Sequence, residues 1–240
     1  AAGTDPFDPD SDGDELEDGD DPDPMDFTPI SILRISAGMS SHNPSGLFST
    51  ETLTSILFNG SLSFDKNNNI TQYFFDFGDG NNSGWTYSAL MEHIYYKYGL
   101  YKVELRVKND IGKVNVIPNK RDIFISNRPP VVKAALNTNE AKTFSTLFLN
   151  LSGVRDLDGF IINLSVGWGD GNDTYISSMG LSLLNYRARF NITKEHRYTD
   201  DGTYEINITA MDNDGGRSSH FLEAEILNRA PTAIFSVPDR

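Results

Sequence analysis

Apolar and polar residues alternate strictly over long stretches of this chain. Tyr101, Val103, Leu105 and Val107 interleave with Lys102, Glu104, Arg106 and Lys108. Tyr204, Ile206 and Ile208 interleave with Glu205, Asn207 and Thr209. A period of two puts one set of side chains on each face of an extended strand, so these segments predict half-buried β-strands. One apolar face and one wet face are what an antiparallel sandwich requires. Asp79-Gly80 and Asp170-Gly171 offer the positive-φ positions of tight hairpin turns. No segment sustains a 3.6-residue period, so the pattern predicts an all-β chain.

The pattern also repeats. Phe75-Asp76-Phe77-Gly78-Asp79-Gly80 returns as Val166-Gly167-Trp168-Gly169-Asp170-Gly171, and Glu92-His93-Ile94-Tyr95 as Glu195-His196-Arg197-Tyr198. Gly99-Leu100-Tyr101-Lys102-Val103 returns as Gly202-Thr203-Tyr204-Glu205-Ile206, and Asn127-Arg128-Pro129-Pro130 as Asn228-Arg229-Ala230-Pro231. Four signatures in one order, twice, predict two tandem domains over 27–126 and 127–228, with 229–240 opening a further repeat.

Charge adds a third region. The 240 residues carry a formal net charge of −14, but the first 26 hold 12 of the 34 acidic side chains and no Lys or Arg. The remainder therefore has 22 acidic groups against 20 basic ones, a net of −2. An acidic segment, 1–26, precedes a nearly neutral body. No basic patch suited to phosphates stands out, which disfavours nucleic acid as a partner. Cysteine is absent, so there are no disulfides and no thiolate metal sites. No apolar run approaches the ~18–20 residues that cross a bilayer. The Ala1-Ala2-Gly3 start lacks the basic and apolar regions of a signal peptide, and the sequence reads as an internal piece of a longer protein.

The Phe77-Gly78-Asp79-Gly80 and Trp168-Gly169-Asp170-Gly171 turns, the His-x-Tyr triplets and the Gly-x-Tyr strands together resemble PKD (polycystic-kidney-disease) domains over about 200 residues. The resemblance implies two tandem immunoglobulin-like β-sandwiches of about seven strands each. The Gly-x-Tyr strands also resemble a tyrosine corner, with Val103 and Ile206 where an antibody domain places its second cysteine. Two features depart from the family pattern. Tyr73-Phe74-Phe75-Asp76 stands where a Trp-Asp pair is usual, and Gly167 replaces that Asp in the second unit. Residues 173–192 form a longer insertion before the second His-x-Tyr.

In the acidic segment, carboxylates fall on every second residue from Asp8 to Asp14. Calcium takes six to eight hard oxygen ligands, and alternating acids in a tight loop aim several at one ion. With Asp10 at position one, Asp12, Asp14, the Leu16 carbonyl, Asp18 and Asp21 fall at positions three, five, seven, nine and twelve. This resembles the thrombospondin type-3 repeats and EF-hand-like loops of prokaryotic surface proteins. Position six, usually Gly, is Glu15. A frame from Asp8 keeps Gly13 at position six but ends on Gly19. The alternative is a solvated acidic linker.

Asp156-Leu157-Asp158-Gly159, with Asp65-Lys66-Asn67 at the matching place, marks a strand-connecting loop. Some PKD domains bind calcium near such a loop, so Asp156 and Asp158 are candidate ligands, helped by Asp212 or Asp214. The competing reading is an Asp-Gly turn that caps local backbone. His93 and His196 lack a second imidazole at ligand spacing and are expected to be structural, bonded to neighbouring backbone. No catalytic motif occurs, and the chain is expected not to be an enzyme. Eight Asn-x-Ser/Thr sequons, at Asn59, Asn69, Asn81, Asn150, Asn163, Asn172, Asn191 and Asn207, are candidate glycosylation sites. They point to an extracellular or cell-surface glycoprotein, with an archaeal surface as one reading. The expected function is a calcium-stiffened structural or adhesive spacer that meets other surface-protein subunits, or extracellular glycans and proteins. The alternative is an accessory substrate- or carbohydrate-binding module of a secreted hydrolase, for which Trp85 is the one exposed aromatic candidate.

Overall fold

A computed structural model of the chain describes residues 3–21, 24–25, 27–38, 41–42, 46–176 and 190–231, with the backbone alone for 41, 42, 190 and 191. The chain divides into two compact units, Ala1–Ser126 and Asn127–Arg240. Among the described residues both are built of strands and loops without helix.

The first unit contains β1 (Arg34–Ala37), β2 (Ser41–His42), β3 (Phe48–Glu51), β4 (Ser55–Asn59), β5 (Ile70–Asp76), β6 (Asn82–Thr86), β7 (Leu90–Ile94), β8 (Gly99–Asn109) and β9 (Asn119–Ser126). They form two sheets, ordered β1-β4-β7 and β2-β3-β9-β8-β5-β6. The second unit contains β10 (Ala135–Leu136), β11 (Glu140–Lys142), β12 (Leu147–Val154), β13 (Ile161–Gly167), β14 (Asp173–Ile176), β15 (Phe190–His196), β16 (Gly202–Asp212) and β17 (Arg217–Leu227). Its sheets are ordered β10-β12-β15 and β11-β17-β16-β13-β14. The parallel pair β3–β9 recurs as β11–β17, and every other pairing is antiparallel.

Alternation in the sequence becomes the two faces of these sheets. Val103, Leu105 and Val107 are fully buried and meet Ile56 and Phe58 of the opposite sheet around Phe75. In the second unit Ile206 and Ile208 meet Leu147, Leu149 and Leu151 around Val166 and Trp168. The tyrosine corners form as expected: Tyr101 Oη donates to the Lys97 carbonyl at 2.8 Å, and Tyr204 Oη to that of Asp200 at 3.1 Å. Val103 and Ile206 are fully buried, so packing serves where a disulfide would.

The acidic segment folds against the first unit. Phe27 is buried beside Phe64, with ring centroids 6.0 Å apart. Lys66 Nζ lies 5.9 Å from the Phe27 ring and 3.4 Å from the Asp12 carbonyl. Of the long insertion, 177–189 lies outside the described residues, as does 232–240 of the expected further repeat.

Truncating Leu105 to Ala removes apolar bulk from a close-packed centre and is expected to cost about 2–5 kcal/mol. Lys102→Ala, on the wet face of the same strand, is expected to stay within about 0.5 kcal/mol. Urea unfolding of both variants checks the assignment of faces; equal losses would contradict it.

Candidate metal centres

The acidic loop is held together by its own carboxylates. Asp10 Oδ1 accepts from the Gly13 and Asp14 amides at 2.9 and 3.1 Å, and its Oδ2 from the Glu15 amide at 3.0 Å. Asp12 Oδ1 accepts from the Asp14 amide at 3.2 Å, and Asp14 Oδ1 from the Leu16 amide at 3.1 Å. Glu15 takes φ 75°, the left-handed conformation that glycine supplies at position six of such loops. A non-glycine residue there costs about 1–2 kcal/mol. Carboxylate oxygens of Asp10, Asp12 and Asp14 lie within 4.8 Å of one another. Asp12 Oδ2 is buried without a hydrogen bond. Burial first, then the charges of Asp14, Asp21 and Asp10, raise the Asp12 carboxyl despite the amide bond from Asp14. Three carboxylates this close together form a group that could hold a metal ion.

The other expected ligands are placed differently. Asp18 is turned to Ser11, accepting from its amide and hydroxyl at 2.8 Å each. Asp21 is buried near enough for its charge to act on Asp12. Leu16 is half-buried in the loop. Asp14 also reaches out of the loop, where its Oδ2 accepts from the Thr28 amide at 2.9 Å and from the Thr28 hydroxyl. This bond ties the acidic loop to the start of the first sandwich.

A second carboxylate cluster lies inside the second unit. Asp156 is 5% exposed and Asp212 is fully buried. Asp156 Oδ1 accepts from the Asp158 amide at 3.3 Å, and Asp158 Oδ2 from the Arg128 amide at 3.1 Å. Asp212 Oδ1 accepts from the Asp214 and Gly216 amides at 2.9 and 2.7 Å, and its Oδ2 from Asn127 Nδ2 at 2.8 Å. Asp156 Oδ2 accepts no N–H donor, and the carbonyl oxygen of the Asn127 side chain is likewise buried without a donor. A Cβ on Gly159 would fall 2.6 Å from Asp156 Oδ2, so this glycine leaves room for the carboxylate. Burial first, then the carboxylates of Asp158 and Asp212, raise the Asp156 carboxyl. Asp214 is raised as well, by burial and then by the charge of Asp212. The capping expected of an Asp-Gly turn is present, and it leaves acceptor oxygens over.

The first unit answers the same problem differently. Asp65 occupies the place of Asp156, since the bridges Ile30–Phe64 and Val131–Arg155 precede them in the two units. Asn109 ends β8 where Asp212 ends β16. Asn109 Nδ2 donates to Asp65 Oδ2 at 2.9 Å, while the Asn67 and Asn68 amides donate to Asp65 Oδ1 at 2.9 Å. Burial alone would raise the Asp65 carboxyl, but these hydrogen bonds outweigh it and hold it below its ordinary range. An amide thus closes the first site and a carboxylate leaves the second open.

The two histidines have carboxylate partners rather than the backbone partners expected. His93 Nε2 lies 2.8 Å from Asp79 Oδ2, and His196 Nε2 lies 2.7 Å from Asp170 Oδ2. Each ring stacks on the turn aromatic, Phe77 at 4.0 Å or Trp168 at 4.7 Å. Tyr95 and Tyr198 close the clasp by donating to the Phe77 and Trp168 carbonyls at 2.7 and 2.8 Å. Gly78 and Gly169 make the turn possible: φ is +76° and +83°, and a Cβ would strike the Lys102 or Glu205 carbonyl. Asn81 and Asn172 donate their side-chain amides to the same aspartates at 3.1 and 3.0 Å. Both clasps are structural. Leu53 and Phe144 add a repeated feature that no sequence signal announced. Each adopts positive φ, 61° and 63°, while its amide donates to the Tyr95 or Tyr198 carbonyl.

Among the other sequons, Asn59 accepts from the Ser61 amide at 2.8 Å and Asn69 Nδ2 lies 3.4 Å from Asp110. Asn150 and Asn163 are exposed, Asn207 is half-buried, and the side chain of Asn191 lies outside the described residues. Trp85 is 39% exposed but not a bare platform: Phe74 packs at 5.7 Å and Lys108 Nζ sits 4.2 Å from its ring.

The clasps predict an acid response. Burial would raise the Asp79 and Asp170 carboxyls, but bonds from His93 or His196 and from Asn81 or Asn172 hold them below their ordinary value of 3.8. A depressed folded pKa gives stability that is present above pH ~4 and is lost as pH falls through the depressed value. Asp170→Asn is therefore expected to be destabilising at pH 7, with the gap to wild type closing as pH falls below about 4. Urea unfolding across pH measures this; a gap that widens in acid contradicts the assignment.

A family model described as PKD domain matches residues 49–123, from β3 into β9. Similar solved structures include the PKD1 domain of the Vibrio cholerae metalloprotease PrtV, 25% identical, covering 42% of this chain and 99% of that one with a TM-score of 0.31. The PKD domain of an M14-like peptidase from a Thermoplasmatales archaeon is 19% identical, covering 42% and 98%, with a TM-score of 0.34. Fibronectin(III)-like modules of Clostridium thermocellum CbhA are 14% identical over 85% of this chain and 100% of that one, with a TM-score of 0.33. The stretch matched by the PKD domain model, residues 49–123, is the one that carries the first histidine clasp, its glycine turn and its tyrosine corner.

Proposed function

We propose that the chain is a non-catalytic spacer of an extracellular or cell-surface protein, with two sandwich units of one family, stiffened by calcium. The repeated register, clasps and corners of the second unit support its kinship with the first. One observation carries the calcium reading. Asp156 is buried against Asp158 and Asp212 with an oxygen that no donor reaches, where the first unit has Asn109 donating to Asp65. Buried like charges are costly unless a cation or a proton joins them. Asn127 and Arg128, the first residues of the second unit, bond into the cluster. Calcium there would fix the direction in which the chain enters this unit. In the acidic segment, Asp10, Asp12 and Asp14 would hold a second ion, with Leu16, Asp18 and Asp21 supplying further oxygens directly or through water, and Asp14 would pass its rigidity to Thr28.

An extracellular-type site binds calcium at roughly 0.1–1 mM. In about 10 mM calcium this stabilises by about 1–3 kcal/mol, a rise of roughly 5–15 °C for a unit of this size. Calorimetry in EDTA and in calcium, with magnesium as control, measures the shift. Asp212→Asn installs the amide that the first unit uses. It is expected to raise the midpoint in EDTA and to lose most of the second unit's calcium response. A variant that responds to calcium like wild type would sink the assignment.

Glycans are proposed at exposed sequons, Asn150 and Asn163 foremost, with Asn59, Asn69, Asn191 and Asn207 as further acceptors. Asn81 and Asn172, whose amides hold the clasp aspartates, are expected to stay bare. Glycopeptide mass spectrometry of protein from its native source reads this directly; full occupancy at Asn81 and Asn172 contradicts it. The second reading, an accessory glycan-binding module, draws nothing from Trp85, which is already covered by Lys108. A different feature of the first unit favours it.

A further inference from the structure

A groove of about 560 Å³ opens in the first unit between β1, β3 and β9. Half-buried Ile35 and Phe48 are among its apolar lining, and Arg34, Lys120, Arg121 and Asp122 are its charged lining residues, with Lys120 and Asp122 on the other face of β9 from Arg121. Three basic residues against one acidic residue is a local excess in a body that carries 22 acidic groups against 20 basic ones. Lys120 is partly committed to Glu104, 3.4 Å away. Among the described residues no carboxylate forms an ion pair with Arg34 or Arg121.

The second unit is an internal control. Arg121 faces Val103 across β8 and β9, and the matching pair in β16 and β17 is Ile206 with Leu222. Leu222 packs against the core. Arg34 faces Asn59, and its counterpart facing Asn150 is Ala135. Lys120 faces Glu104, and the matching partner of Asn207 is Phe221. The same fold thus forms without any of the three cations. At Arg121 β9 pairs with β8 alone, because β3 joins it only from Ile123 onward. The second unit carries Leu222 at the matching place, where β11 likewise joins only from Glu225, so an edge here does not need a cation.

We infer that this groove binds a residue of an acidic glycan, its carboxylate or sulfate held by the guanidinium groups of Arg34 and Arg121. Guanidinium forks match the planar geometry of such anions and give paired hydrogen bonds. The volume lies in the range of small-ligand sites, which combine an apolar lining with a few polar groups. Ile35 and Phe48, both half-buried, offer the apolar face that a sugar ring would meet. The inference is independent of calcium and goes beyond the spacer reading.

The test is isothermal titration of the full chain at low salt, in calcium and again in EDTA. The probes are trigalacturonic acid, a heparin-derived tetrasaccharide, neutral maltotriose and hexa-aspartate. The expected result is binding of a carboxylated or sulfated sugar, the two acidic probes deciding which anion is preferred. Maltotriose and hexa-aspartate are expected to bind at least about tenfold more weakly. Arg34→Ala and Arg121→Leu are each expected to weaken the acidic sugar about fivefold or more, while Lys142→Ala in the second unit leaves it unchanged. Arg121→Leu carries the second unit's own residue, and its unfolding midpoint checks that it folds. If that variant is unstable, Arg34→Ala decides alone. No binding of either acidic sugar at millimolar concentration overturns the inference. So does unchanged binding by a folded arginine variant, or tighter binding of hexa-aspartate. Loss of binding in EDTA alone would transfer the site to the calcium loops and overturn it as well.

Discussion

A carboxylate withdrawn from water has to be met by a donor or a cation, and this chain buries or half-buries many of them. The clasp aspartates Asp79 and Asp170 are met by imidazole and by a neighbouring Asn amide. Asp65 is met by Asn109 and two backbone amides. At Asp156 and Asp12 the donors run out, and both carboxyls are raised by burial and by other carboxylates. The framework that sets these distances is common to both units. The difference between a closed site and an open one rests on Asn109 against Asp212, a change of one oxygen for one NH2.

That difference bears on mechanics. The donors and acids of the second cluster come from the unit's first residues, from the loop after β12 and from the end of β16. An ion shared among them would join segments that the sheets alone do not join. In the acidic segment Asp14 has the same double role, within the loop and toward Thr28. As proposed, calcium in such places would change how freely a segment moves while leaving the sandwich core, packed around Phe75 or Val166, as it is.

Much of this was legible in the sequence because it depends on local order. Alternation marked the buried faces of β8 and β16, the Gly-x-Tyr strands marked the corners, and the spacing of acids from Asp10 marked the loop, including the awkward Glu15 that does take positive φ. What could not be read depends on register between distant strands. His93 was expected to bond neighbouring backbone; its partner is Asp79, brought to it only by the β5–β6 turn and the opposite sheet. The roles of Asn127 and Asn109 emerge only when β8 and β16 are aligned through their partners. The same alignment separates Arg121 from Leu222, residues with no resemblance in the sequence. Positive φ at Leu53 and Phe144 has no signal, because neither residue type favours it.

The central proposal is that the second unit holds a cation where its neighbour has an amide. Crystals of the full chain grown in calcium, with anomalous diffraction collected at long wavelength, test it most directly. The account predicts an anomalous peak bounded by Asp156, Asp158 and Asp212, and none between Asp65 and Asn109. A bare second cluster at millimolar calcium, or an ion held equally by the first unit, would contradict it.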